Sequence, residues 1–204
     1  MFRCTRSDAA IAGAIAMAMA MSPARVEAHL NSTGLGPVYD GAVHLLLSPE
    51  DLVPAFALAL LAGLRGVRHG RSTLFALPAA WLLGGLVGIA AGSGSGTTTT
   101  VVSLLVLGTL VASDARLSLT MLTLLAVSLG LVHGFVNGVG MRPFGVGVQA
   151  LIGLAAALFV LTALVVAFVV QLRQSWSRMA VRVLGSWIAA SGLLMLGWVV
   201  HARS

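Results

Sequence analysis

From Leu52 to Val200 the chain repeats one pattern, an apolar run followed by a short polar turn. Six runs can be marked at roughly 52–66, 72–92, 99–112, 117–141, 146–170 and 183–200. Most approach the ~20 residues a helix needs to cross a hydrocarbon core about 30 Å thick. Backbone N–H and C=O groups in lipid must find partners within their own segment, so each run is expected as a helix. Composition agrees. Only 9% of the residues are charged and mean hydropathy is +1.01, whereas soluble domains carry about a quarter charged residues. The expected fold is all-α: a polytopic protein of the lipid bilayer with about six transmembrane helices.

The net charge of +6 comes from arginine, with no lysine in the chain. The arginines sit in short clusters between apolar runs. This fits topology determinants and not a nucleic-acid surface. Arg65, Arg68, Arg71, Arg116, Arg173, Arg178 and Arg182 fall on one side of the expected spans, Arg142 and Arg203 on the other. By the positive-inside rule the first side is cytoplasmic. The expectation is a bacterial inner-membrane protein with both mature termini on the periplasmic side.

The N-terminus reads as a secretory signal. Arg3 and Arg6 precede the short apolar run Ala9 to Met21, then Pro23 and the small-residue site Val26-Glu27-Ala28. Cleavage after Ala28 makes His29 the mature N-terminus; an uncleaved first helix is the alternative. The organisation is then a signal peptide over 1–28, a periplasmic loop and short helix over 29–51, and the membrane domain over 52–204. Cys4 is the single cysteine and lies in the signal, so no disulfide framework is available.

The segment 29–51 holds three of the four acidic residues beyond the signal: Asp40, Glu50 and Asp51. Asp40 and His44 are four residues apart and share a helical face. Ser48-Pro49-Glu50-Asp51 reads as a helix start, with Ser48 as N-cap and Asp51 at the capping-box position. Glu50 and Asp51 are therefore expected to complement the helix dipole. The first span is short, so residues before Ser48 are expected to complete the passage at a bend.

An ionisable residue at membrane depth is costly and marks function by default. His133 lies in the fourth run, with Asn137 four residues on and Gly134, Gly138 and Gly140 leaving room nearby. The bland reading is a polar tie between helices. The expected topology puts His133 on the same side as Asp40 and His44. One carboxylate and two imidazoles suit nickel, cobalt, copper or zinc. His29 is a weaker further ligand through its imidazole and free amino group, and Asn137 is weaker too. No hydrolase or phosphate-loop motif is present, and no enzyme activity is expected. A membrane enzyme with a metal-activated water is the distant third reading.

The residues Ala28-His29-Leu30, Thr33 to Gly41 (TGLGPVYDG), His44, LLLSPEDL over 45–52 and ALLAGLRG over 59–66 resemble the HupE/UreJ family of membrane proteins. The likeness is to its signal-peptide-bearing branch and is most specific over residues 28–85. It implies a six-helix permease, or an accessory protein, for nickel or cobalt in hydrogenase or urease maturation, with maturation proteins as partners. Asp40 and His44 resemble the acidic residue and histidine that the better-known branch places adjacent to each other near the first helix. His133-Gly134 and Asn137-Gly138 fit a His-Gly-x-x-His-Gly-x-Glu frame, with Asn137 at the second histidine and Gly140 at the acidic position. The resemblance leaves two functions: transport of a divalent metal bound at the outer face, or metal holding without transport.

Overall fold

The computed structural model describes residues 33–91, 96–142, 145, 147–172 and 174–202. The expected signal peptide, His29, Arg173 and Arg203 lie outside the described residues. Within them the chain is helical, with no strand: α1 (Pro37–Leu47), α2 (Pro49–Arg65), α3 (Val67–Ala91), α4 (Thr97–Ala112), α5 (Leu119–Met141), α6 (Gly147–Val170) and α7 (Ser175–His201). Four of these, α3, α5, α6 and α7, are each long and apolar enough to cross a membrane. α1 and α2 qualify together as a fifth passage, bent by 75°. Pro49 explains the break: it has no amide proton to continue α1 and suits the first turn of α2. The bend before Ser48 is where the sequence places it.

One expectation is reached only in part and another is corrected. α4 has only 16 residues; at 1.5 Å per residue it falls short of a ~30 Å core. A count of six full-length spans is therefore not reached by helix length. The polar stretch 171–182, expected as an inner loop between the fifth and sixth runs, is helical from Ser175 and supplies the first two turns of α7. Gln174 is its N-cap residue, and the Ser177 hydroxyl donates to the Gln174 carbonyl at 2.7 Å. The arginines here do not prevent a helix because they project to the bundle end, where they find acceptors.

At that end Asp114 is the hub. It pairs with Arg65 of α2 and with Arg178 of α7, the latter at 3.6 Å. Arg182 Nε–H donates to the Ala112 carbonyl at 3.0 Å. Arg65, Arg68, Arg71, Arg116, Arg178 and Arg182 thus gather at one end, while Arg142 closes α5 at the other. The arginine pattern in the sequence corresponds to a real polarity of the bundle.

The tightest packing is between α3 and α5, which run parallel. A Cβ added to Gly84 would stand 2.2 Å from the Leu131 carbonyl oxygen, and one on Gly88 2.1 Å from that of Phe135. From the other side, Gly134 meets the Trp81 carbonyl at 2.1 Å and Gly138 the Gly85 carbonyl at 2.0 Å. With Gly130 at the same spacing, this is a small-xxx-small seam on both helices. Lipid gives helices no hydrophobic reason to associate, so van der Waals contact between bare backbones supplies the attraction. α1 docks on α6 in the same way, Gly41 against Ala150 and Gly153 against Val38.

Gly138→Ala should therefore cost about 1–3 kcal/mol, the usual range for overpacking. Gly140→Ala, where nothing stands within 4 Å, should be neutral. Thermal unfolding in detergent, followed by circular dichroism, separates the two.

Candidate functional site at the helix break

A buried face crosses the α1–α2 break. His44, Ser48 and Asp51 follow at i, i+4 and i+7, and all three are buried. Asp51 lies in the first turn of α2, where the positive end of the helix dipole favours a carboxylate. Ser48 makes no side-chain cap bond. Its hydroxyl lies instead 3.5 Å from the ring nitrogens of His44.

Across from this face stands α5. The glycine seam turns Gly130, Gly134 and Gly138 to α3, and the adjacent stripe, His133 and Asn137, turns to α2 and α1. His133 Nδ1–H donates to Asp51 Oδ1 at 2.8 Å. Asn137 Nδ2 donates to Asp51 Oδ2 at 2.8 Å and to the His133 carbonyl at 3.0 Å. Both amide protons of Asn137 are thereby committed to oxygens that can only accept. Its Oδ1 must then be the atom that faces His44, and His44 Nε2–H donates to it at 3.0 Å. This fixes the His44 proton on Nε2 and leaves the Nδ1 lone pair near Ser48. With the His133 proton on Nδ1, its Nε2 accepts from the Ser103 hydroxyl of α4 at 2.9 Å. The Trp81 ring lies against the His133 imidazole, centroids 5.4 Å apart. His133 is only 2% exposed.

The result is one continuous chain, Ser103–His133–Asp51–Asn137–His44, joining α4, α5, α2 and α1. Carboxylate–imidazole pairing of this kind is how proteins orient a histidine so that its other nitrogen can bind a metal. The same three groups, Ser103, His133 and Asp51, also occur in acyl-transfer enzymes. Here Ser103 sits mid-helix, where neighbouring amides are spent in the helical ladder and offer no oxyanion site.

The structure brings together three of the residues singled out in the sequence, His44, His133 and Asn137. Asp40 is not in the network: its Oδ1 accepts from the Thr33 amide at 2.6 Å and hydroxyl at 2.7 Å, which caps the turn before α1. Asn137 acts as a bridge between acceptor and donor. The acidic member is Asp51, which the capping pattern had concealed. Glu50 beside it goes another way, into an apolar cleft of about 490 Å³ lined also by Val53, Phe56, Leu104 and Trp187. Among the described residues no three His, Cys, Asp or Glu side chains are grouped so as to hold a metal ion, so Asp40, His44 and His133 do not form a ready-made cage.

The sequence did carry a signal for Asp51, since His44, Ser48 and Asp51 fall on one face if the helix is continued through Pro49. Ser103 had a weaker one. A serine inside an apolar helix more often bonds the carbonyl one turn back.

A family model described as HupE / UreJ protein matches residues 15–195. No curated protein and no solved structure matches the chain.

Asp51→Ala would leave the donors of His133 and Asn137 unpaired in the core. Breaking a buried pair in this way costs about 3–5 kcal/mol. Asp40→Ala, at the protein edge, should leave thermal stability nearly unchanged. Melting of both variants in detergent is the measurement, and equal losses would contradict the assignment.

Proposed function

Because the chain belongs to the HupE/UreJ family of membrane proteins, we propose that it is a permease for a divalent transition metal, nickel or cobalt, which it meets at the α1–α2 break. The observation that carries this reading is the broken helix itself. Transporters place discontinuous helices around their substrate, where unwound backbone and helix ends supply polar groups inside an apolar bundle. Here the break lies against His133 and Asn137, and it brings a carboxylate and a second imidazole with it.

Asp51 supplies negative charge to a cation that has left water. His133 Nε2 and His44 Nδ1 are the nitrogen donors, and borderline metals favour imidazole. Both are held in the correct tautomer, by Asp51 in one case and Asn137 in the other. Loading replaces the Ser103 hydroxyl on His133 by the metal. A donor set this sparse suits passage, since conduction requires a site weak enough to release its ion. Asp40 belongs to the approach side and not to this centre.

The passage runs inward toward the arginine end, which we place in the cytoplasm of a bacterial inner membrane, with six passages in all, the shorter α4 among them. One observation favours the alternative, a metal-holding accessory protein for metalloenzyme maturation: every polar atom of Asp51 and Asn137 is already engaged inside the protein, as in a structural tie.

Radioactive nickel and cobalt uptake into proteoliposomes distinguishes the two. The expected outcome is saturable uptake by the wild type, abolished in His44→Ala and His133→Ala and retained in Asp40→Ala. Metal binding with no saturable uptake would overturn transport in favour of the accessory role.

A further inference from the structure

Apart from the Arg65–Asp114 pair, only three buried side-chain polar atoms among the described residues lack a hydrogen-bond partner: Trp81 Nε1, Thr73 Oγ1 and Thr162 Oγ1. All three lie on α3 and α6. Trp81 is the residue whose ring lies tilted against His133, and Thr73 lies about two helical turns from it toward the arginine end.

The two threonines stand at one level. α3 and α6 run antiparallel, with Gly70 against Val166 and Gly85 against Leu151. Thr73 is about one turn from Gly70 and Thr162 about one turn from Val166, both toward the His133 level. Each is 0% exposed. α2 forms a third wall near the same end, through Gly63 against Val166 and Val169.

What sets these two hydroxyls apart is that they are fully buried and still without a partner. A threonine in a helix normally satisfies its hydroxyl on the carbonyl one turn back. Thr100 does so on Gly96 at 3.2 Å, and Thr123 on Leu119 at 2.8 Å. Thr73 and Thr162 do not, although both are buried. A third polar group falls at this level. Pro78 is inside α3 and has no amide proton for the carbonyl of Leu74, next to Thr73. An unpartnered buried polar group calls for a water or an ion.

We infer that Thr73, Thr162 and the Leu74 carbonyl form a second, all-oxygen station, which receives a divalent cation with part of its water shell on the arginine side of His133. The inference rests on the permease reading and supplies its inward leg. Neutral hydroxyl and carbonyl oxygens hold a partly hydrated cation weakly, which lets it leave. Leu77 and Leu158, both fully buried, fall between this station and the His133 level. They form an apolar plug that must turn aside for the ion to pass.

Two measurements test this. The first is uptake by the double variant Thr73→Val and Thr162→Val, which keeps shape and removes both hydroxyls. Initial nickel uptake should fall about tenfold, worth about 1.4 kcal/mol in the barrier, with equilibrium nickel binding to the protein unchanged. Thr73→Ser with Thr162→Ser should restore the rate. Wild-type uptake by the valine variant would overturn the inference.

The second measurement does not depend on transport. In a Cys4→Ser background, Thr73→Cys and Thr162→Cys are exposed to 2-aminoethyl methanethiosulfonate in membranes, and labelling is read by intact mass. Both should react, whereas Val111→Cys, buried between α4 and α7, should not. Unreactive cysteines at both positions overturn the station whatever the uptake result. Reactive cysteines in a protein whose wild type shows no uptake sink the permease reading alone and support a hydrated pocket at this level.

Discussion

The arrangement depends on one buried carboxylate. Asp51 is placed inside an apolar bundle, where an unpaired charge would cost several kcal/mol or more. Three features offset that cost. Asp51 lies in the first turn of α2, at the positive end of the helix dipole, and His133 and Asn137 each donate to one of its oxygens. The first of these depends on the break at Pro49. A continuous α1–α2 helix would remove the free helix end just where the charge needs it. The 75° bend is therefore the geometry that makes an internal carboxylate tolerable.

The carboxylate in turn demands that α5 come close and at a fixed rotation. The seam of Gly84 and Gly88 against Gly130, Gly134 and Gly138 meets both demands. It places the backbones of α3 and α5 in contact, which sets the distance. Because His133 and Asn137 flank the seam on the helix surface, it also sets the angle at which they address α2. Trp81 fills the remaining side and lies against the imidazole. α1 is held by the same device on α6, so His44 reaches Asn137 from a helix with little freedom to drift. Backbone packing, and not side-chain interdigitation, positions the polar chain.

Much of this was legible in the sequence, and the exceptions have physical causes. Apolar runs fixed the helices α5 and α6 to within about two residues, because lipid permits no other backbone, while α3 starts five residues before its expected run and takes in Arg68, His69 and Arg71. His133 and Asn137 stood out as polar residues in an apolar run with an i, i+4 relation. Asp51 was hidden because Ser-Pro-Glu-Asp is also the signature of an ordinary helix start; local pattern cannot tell a carboxylate that caps from one that reaches a helix distant in the chain. Asp40 looked the better candidate because it shares a face with His44. That face is real, yet Thr33 takes its carboxylate. The start of α7 was misjudged because Arg178 and Arg182 looked like loop charges, while their acceptors, Asp114 and the Ala112 carbonyl, come from α4 and the turn after it.

The network is also informative about what a metal would have to do. Each histidine spends one nitrogen on the protein and keeps one lone pair, but the two lone pairs lie at opposite ends of the chain Ser103–His133–Asp51–Asn137–His44. A single ion cannot take both without displacing Asn137 or Ser103. Entry therefore couples to a rearrangement between α1, α4 and α5, the helices those residues tie together. α4 is short and contacts α5 little, whereas α3 and α5 are locked along their seam. Movement is thus favoured on the side of α4, around a fixed α3–α5 pair that carries His133 and Trp81. The polar chain is thus anchored on one rigid helix pair, and its ends at Ser103 and His44 lie on helices outside that pair.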